Sequence, residues 1–369
     1  MKLGHVLLLS CALATTAGAG TKIVLGQSCA LTGPAKDLGL EMSQGASAFF
    51  KSTPEVQLVT KDDKYEPNSC ELNTKAFLSD KVTALFGYVG TPTSKVAVPL
   101  AMGAQTVFFG AFTGAGFLSD YKANPYSFSL RASYDAETQN MVEHLVNDLG
   151  ITKIGLFIQD DAFGEAGKSG VEKAVAKMAG QGVKVVAEGR YARNSLAIKE
   201  GADKITTSGA TAVIMIGAYM PCAAAIKYWK TAGFQGPFLN VSFVGSEGLA
   251  ENIKSNAKNV VISQVVPFPW DKSVPVVAEY QKAMGGTNIG FGTLEGYLAA
   301  KTIHMAIAKT QQPVTSEGLK SALESMGNFD LGGLPGSFSA TDHRGLKFTS
   351  LTKINPDGSF SVIKSLKDL

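Results

Sequence analysis

The chain has 369 residues, of which 45% are hydrophobic and 18% charged, and its formal net charge is +3. That balance is ordinary for a soluble globular protein, and the scattered Lys and Arg form neither a nucleic-acid stripe nor a polybasic membrane segment. After the first segment no apolar run approaches the roughly 20 residues that a membrane-spanning helix needs.

The first segment speaks to compartment. Lys2 gives a positive start, and residues 6–16 are apolar apart from Ser10, Cys11 and two closing threonines. Ala17-Gly18-Ala19 then offers small residues where a signal peptidase reads. We read residues 1–19 as a cleaved secretory signal. About 350 residues follow, enough to set an expectation of two domains.

Lys22-Ile23-Val24-Leu25-Gly26-Gln27 reads as a buried strand. The loop Leu31-Thr32-Gly33-Pro34 and a helix over 40–50 come next. A strand over 56–60 ends in Asp62-Asp63, and a helix covers 67–79 with Pro67 in its first turn. A strand over 82–87, a helix over 93–102 and a strand over 106–110 complete the first unit.

The pattern then restarts. Helices are predicted over 136–149, 166–179, 196–207, 220–232 and 245–255. Strands alternate with them over 153–158, 183–188, 212–217, 238–241 and 260–266. Helices over 275–284, 294–309 and 316–325 follow. The tail alternates as strands over 347–354 and 359–363, split by the turn Asn355-Pro356-Asp357-Gly358.

Short apolar strands bounded by Gly and alternating with helices indicate α/β architecture, with Rossmann-like doubly wound parallel sheets covered on both faces. The chain crosses between its two units near Arg131-Ala132-Ser133-Tyr134 and returns through Pro267-Phe268-Pro269, where prolines stiffen an extended path. Two such sheets facing each other direct their strand ends into one cleft, where ligands bind.

Catalytic signatures are missing. Gly87-Tyr88-Val89-Gly90 and the Gly110 to Gly116 loop follow strands, but neither is a Walker loop nor a full GxGxxG. Each is compatible with a backbone nest for an anion or with a tight turn. Asp62-Asp63 and Asp160-Asp161 are sequence neighbours and so read as solvated or loop-capping groups rather than a catalytic pair. There is no GxSxG elbow, no CxxC pair and no His at metal-ligand spacing, so neither enzyme, cofactor nor metal is expected. Cys222 reads as a small buried hydrophobe, and a bridge between Cys29 and Cys70 is left open. Phe112, Tyr134, Phe163 and Tyr219 stand at or near strand-to-helix junctions, where aromatic rings would cover a small ligand and exclude water.

Six motifs together carry a family resemblance. They are Gly26-Gln27-Ser28 with Leu31-Thr32-Gly33-Pro34, Lys61-Asp62-Asp63 with Glu66-Pro67, and Leu85-Phe86-Gly87-Tyr88-Val89-Gly90-Thr91-Pro92-Thr93-Ser94. Further on come Phe128-Ser129-Leu130-Arg131, Asp161-Ala162-Phe163-Gly164 and Val241-Ser242-Phe243-Val244-Gly245-Ser246. The chain after residue 19 resembles the solute-binding proteins of branched-chain amino acid type ABC transporters, the Leu/Ile/Val-binding family.

The resemblance implies a type I periplasmic binding fold with a three-segment hinge. Its N-terminal lobe would take 20–133 plus 268–338, and its C-terminal lobe 134–267 plus 339–369. It further implies a non-enzymatic monomer in the periplasm, with no cofactor, metal or nucleic acid. The protein would capture a small carboxylate-bearing solute, amino acid-like or an organic or aromatic acid, for a membrane permease. A sensory receptor for such a solute, or for an amide or urea-type ligand, is the alternative.

By the same resemblance the ligand carboxylate lies against Thr91, Ala111 and Thr113, with Thr93 and Phe112 in the same loops. Phe163 closes from the second lobe, and Tyr219 matches a second family tyrosine. Tyr134 joins them as the fourth aromatic wall. The family's acidic partner for a ligand ammonium falls at Ser242, with Glu247 starting the next helix. A serine there leaves a buried ammonium unpaired and favours an acid or an amide. The family's N-lobe cysteine positions correspond to Tyr65 and Gly90, so that bridge is missing. Arg131 is read as tied to backbone carbonyls at the hinge, with an ion pair to an acidic ligand as the other option.

Overall fold

A computed structural model describes residues 22–369. The segment read as a secretory signal lies outside the described residues. The first half of the chain forms β1 (Ile23–Cys29), α1 (Lys36–Phe50), β2 (Val56–Asp62), α2 (Pro67–Ser79), β3 (Ala84–Phe86), α3 (Thr91–Gly103), β4 (Val107–Phe109) and β5 (Ser127–Phe128). The second unit forms α4 (Tyr134–Leu149), β6 (Lys153–Gln159), α5 (Ala162–Lys177), β7 (Lys184–Tyr191), α6 (Lys199–Thr206), β8 (Ala212–Ile216), α7 (Tyr219–Thr231), β9 (Phe238–Asn240), α8 (Ser246–Ile253) and β10 (Val260–Gln264). Then come α9 (Pro275–Ala283), α10 (Phe291–Lys309), α11 (Ser316–Glu324), β11 (Gly327–Asp330), β12 (Pro335–Phe338), β13 (Ser350–Ile354) and β14 (Phe360–Ile363).

Two sheets dominate. One has the order β2-β1-β3-β4-β5, and the other the order β14-β13-β10-β9-β8-β6-β7. All pairs of the first sheet are parallel. In the second, β6 to β10 repeat the same winding, and the β13–β14 hairpin is added antiparallel to β10. Central strands such as β8 are buried at every position, which is why they read as continuous apolar runs rather than alternating ones. In this doubly wound order the strands stay parallel, but the direction in which successive strands are added reverses between β1 and β3, and again between β6 and β8. The loops leaving those strands open a crevice at each switch point.

α10 packs on α1 through bare backbone. A Cβ on Gly45 would stand 1.8 Å from the Thr293 carbonyl oxygen, and one on Gly296 2.2 Å from that of Met42. The crossing segments are laced together: Ser129 N–H donates to the His343 carbonyl (2.9 Å), and Gly345 N–H to that of Ser129 (2.8 Å).

Element bounds differ from the sequence reading by a few residues in several places, and three differences have a structural cause or consequence. α5 begins at Ala162 rather than near 166, because Asp161 caps it by accepting the Phe163 N–H at 2.9 Å. α1 begins at Lys36, closer to the Pro34 turn than its apolar period indicates. The β11–β12 hairpin and β5 were not anticipated, since both are short and β11–β12 is joined by glycines. Phe338 of that hairpin holds it to the first sheet by packing on Phe109 and Phe128.

Candidate functional site

The loops after β3 and β4 form the front wall. Gly90 enters α3 with φ of 101°, a conformation that favours glycine, and a Cβ there would meet the Tyr65 ring at 2.2 Å. Gly90 N–H donates to the Phe112 carbonyl (3.2 Å) and Phe112 N–H to that of Tyr88 (2.7 Å), so the two loops lie side by side. This register brings Thr91 and Thr113 together. Their Oγ1 atoms are 2.7 Å apart, and both residues are buried. No side chain caps α3; Pro92 has no N–H and the Ser94 N–H donates to the Gly90 carbonyl at 3.1 Å, so the Thr91 and Thr93 N–H groups are the uncapped donors of its first turn. Ala111 lies in the β4 loop and its carbonyl accepts the Thr113 N–H at 2.8 Å. The Thr93 hydroxyl instead donates to the Val89 and Gly90 carbonyls and holds the turn.

Aromatic rings fill the middle of the cleft. Tyr134 packs on Phe163 with centroids 5.5 Å apart. Phe243, from the turn after β9, lies 4.5 Å from Phe163, 5.5 Å from Phe112 and 5.8 Å from Tyr65. Tyr65 and Lys64 adopt left-handed φ of 59° and 56°. That costly conformation is held by Asp63, which accepts the Tyr65 N–H, and Asp62, which accepts that of Lys64. Tyr219 opens α7 and lies over Gly248 of α8. Burial, then nearby Asp37, pushes its phenol up. Sequence reasoning missed Tyr65 and Phe243. Phe243 lay inside a quoted motif, at a strand-to-loop junction like the four aromatics that were singled out.

The lobes are closed on each other. Arg193, beyond β7, reaches Glu66 across the cleft (2.8 Å) and Asp161 on its own side (3.0 Å). Asn194 adds bonds to Glu66 and to the Lys64 carbonyl. Tyr65 Oη accepts from Gln159 at 3.1 Å.

The hinge side of the cleft carries charge. Arg131 is 1% exposed and lies between Glu137 of α4 (3.5 Å) and Glu295 of α10 (3.4 Å), with its guanidinium 4.9 Å from the Phe112 ring centre. The expectation that Arg131 ties hinge carbonyls is therefore corrected. Arg344 does that, donating to the Arg131 carbonyl at 2.9 Å and to Ser129 Oγ at 3.2 Å. Two carboxylates compensate the buried Arg131 charge, one from each side of the hinge. Glu137 also accepts the Ser242 N–H (2.8 Å) and hydroxyl (3.0 Å), so the serine is committed to it.

One acidic side chain does stand beside Ser242, since Glu41 lines the same narrow cavity, and a second, Glu247, has a buried oxygen in the next helix. Glu247, in the first turn of α8, accepts the Phe291 N–H through Oε1, while its Oε2 has no partner. Glu41 of α1 also presents an unpartnered Oε2. Burial pushes the Glu247 carboxyl up to about 7. Burial, reinforced by Glu247, raises Glu41 as well. A narrow cavity here is lined by Glu41, Phe112, Ser242, Ser246, Gln264 and Glu295.

Cys29, Cys70 and Cys222 are free, buried thiols. Among the described residues no group of three or more His, Cys, Asp or Glu side chains could hold a metal ion.

The periplasmic binding protein family matches residues 22–359. The fold is similar to that of a possible leucine/isoleucine/valine-binding protein from Rhodopirellula baltica SH 1, at 33% identity over 96% of this chain and 99% of that one, with a TM-score of 0.89. An extracellular ligand-binding receptor from Verminephrobacter eiseniae ef01-2 is 25% identical over 92% of this chain and 99% of its own, with a TM-score of 0.84. A substrate-binding periplasmic protein from Ralstonia solanacearum, 24% identical over 93% and 100% of the two chains with a TM-score of 0.85, adds support for the fold alone. No curated protein matches the chain.

Proposed function

This chain belongs to the periplasmic binding protein family, and on that premise we propose that it captures a small carboxylate-bearing solute by hinge closure and delivers it, unchanged, to the membrane permease of an ABC transporter. The observation that carries this reading is the Thr91–Thr113 pair. Each hydroxyl is buried and its closest partner is the other, beside an uncapped helix N-terminus. A carboxylate would accept from both hydroxyls and from the uncapped Thr91 and Thr93 N–H groups, so neutral donors would solvate the anion without a full counter-charge.

Ala111 and Phe112 shape the same loop, and Phe163, Tyr134 and Tyr219 exclude water. A positively charged nitrogen on the solute would face Glu41, whose free oxygen in the cavity beside Ser242 favours an amphoteric, amino acid-like solute over a simple acid. Closure follows from differential affinity, because the solute touches both lobes only when they meet.

The direct test is mass spectrometry of the solute released by denaturing protein purified from the periplasm, followed by titration calorimetry with that compound. The expected result is one carboxylate-bearing molecule per chain, recovered unaltered after incubation. A solute without a carboxylate, or a transformed product, would overturn the reading.

A further inference from the structure

We propose that Phe243 sets the upper size of the solute by occupying, as a fixed ring, the place between Phe112 and Phe163 where a larger solute would put its side chain. This rests on the carboxylate reading above and adds the size class of the solute to it.

Phe243 is fully buried, yet its neighbours come from both sides of the cleft. Phe163 belongs to α5 of its own lobe, whereas Phe112 and Tyr65 belong to loops of the other sheet. A residue of one lobe's core has no such partners, because opening the hinge removes two of these three rings. Phe243 is thus part of the closing surface, next to the loop that carries Thr113.

The ring is also held in place. It projects from a three-residue turn, Ser242–Val244, closed by the Val244 N–H donating to the Val241 carbonyl at 2.9 Å. Ser242 gives both its N–H and its hydroxyl to Glu137, and Glu137 is paired with buried Arg131. Swinging the turn aside would leave a buried carboxylate short of two donors, which is unfavourable. After the turn, Gly245 has φ of 81° and lies so close to Leu38 that a Cβ would meet its Cδ2 at 2.7 Å. The backbone has no slack on either side. A solute that keeps its carboxylate at Thr91 and Thr113 must therefore fit beside the ring. That favours short aliphatic or polar bodies and disfavours a phenyl group.

Replacing the ring with a methyl group opens a hole of the kind that accepts benzene. The test measures binding of L-alanine, L-valine, L-phenylalanine and 3-phenylpropanoate by calorimetry to the wild type, Phe243→Ala, Phe243→Leu and the Thr91→Ala/Phe243→Ala double variant. Benzene serves as a probe of the hole itself. The phenyl-bearing compounds should bind Phe243→Ala at least ten-fold more tightly than wild type, and the added Thr91→Ala change should remove that gain. If Phe243→Ala does not fold, Phe243→Leu should gain in the same direction by at least three-fold.

Wild type binding the phenyl compounds as tightly as the variants overturns the proposal. So does a Phe243→Ala protein that takes benzene but neither phenyl acid. Short compounds that bind wild type and Phe243→Ala but are lost in the Thr91→Ala/Phe243→Ala variant, without any phenyl gain from Phe243→Ala, leave the carboxylate reading standing and remove this one. No carboxylate binding to any variant removes both.

Discussion

The Thr91–Thr113 pair and the Arg131 triad are both buried between the sheets, and they meet burial in opposite ways. The threonines are neutral and satisfy each other at 2.7 Å, an arrangement a ligand can replace at little cost. Arg131, Glu137 and Glu295 are charges that burial would penalise heavily, and each is tolerable only while the others stay. One region can exchange partners during function. The other must keep them, and it sits where the chain crosses between lobes and where nothing needs to be released.

The sharpest way to break this contrast is to remove the cation. Arg131→Met should destabilise the protein by about 3–5 kcal/mol, because two buried carboxylates lose their counter-charge. Urea unfolding measures this, and adding Glu137→Gln and Glu295→Gln should recover much of the loss. A midpoint equal to wild type would mean that the triad contributes nothing.

The threonines should behave in the reverse manner. Thr91→Ala or Thr113→Ala should weaken solute binding by about 1–3 kcal/mol, since each removes a hydrogen bond to a charged group. Unfolding stability should fall by about 1–3 kcal/mol, less than for Arg131→Met, because the remaining buried hydroxyl loses its partner. Calorimetry and a denaturant curve on the same preparations separate the two effects, and equal affinity in both variants would remove the site.

The smallest effect is a pH dependence of the hinge side. Burial raises Glu247 and Glu295 to about 7 in the folded protein, above the ordinary range for glutamate. A carboxyl whose value rises on folding favours the folded state at low pH and loses that contribution as pH climbs through about 7. The ligand-free melting temperature should therefore fall between about pH 5 and about pH 8, and Glu247→Gln should flatten the slope. A bound cationic nitrogen should oppose the trend by favouring the ionised carboxylate. A melting temperature that rises over that interval would contradict the assignment.

The aromatic part of the candidate site was legible from local pattern, because Phe112, Tyr134, Phe163 and Tyr219 sit at or near strand-to-helix junctions, whereas Thr91 and Thr113 were pointed to only by the family resemblance. Ser242 was placed in the right loop, but its partner was not. Glu137 lies 105 residues away, and no spacing in the chain points to it. Arg193 and Glu66, 127 residues apart, were missed for the same reason. Cys29 ends β1 and Cys70 lies in α2, and the two remain separate thiols. Proximity in sequence pattern does not set the side-chain directions a bridge requires.

By itself the sequence determined the alternation of strands and helices, its repetition in two units and the closing hairpin. Each of these follows from how a single segment buries its own apolar face. Only the tertiary structure decided which distant charges neutralise Arg131, that Glu41 lines the cavity beside Ser242 with an unpartnered oxygen, and that Phe243 stands between rings of both sheets. Those outcomes depend on which side chains meet once both sheets are in place, and a buried charge or ring is fixed by its neighbours rather than by its position along the chain.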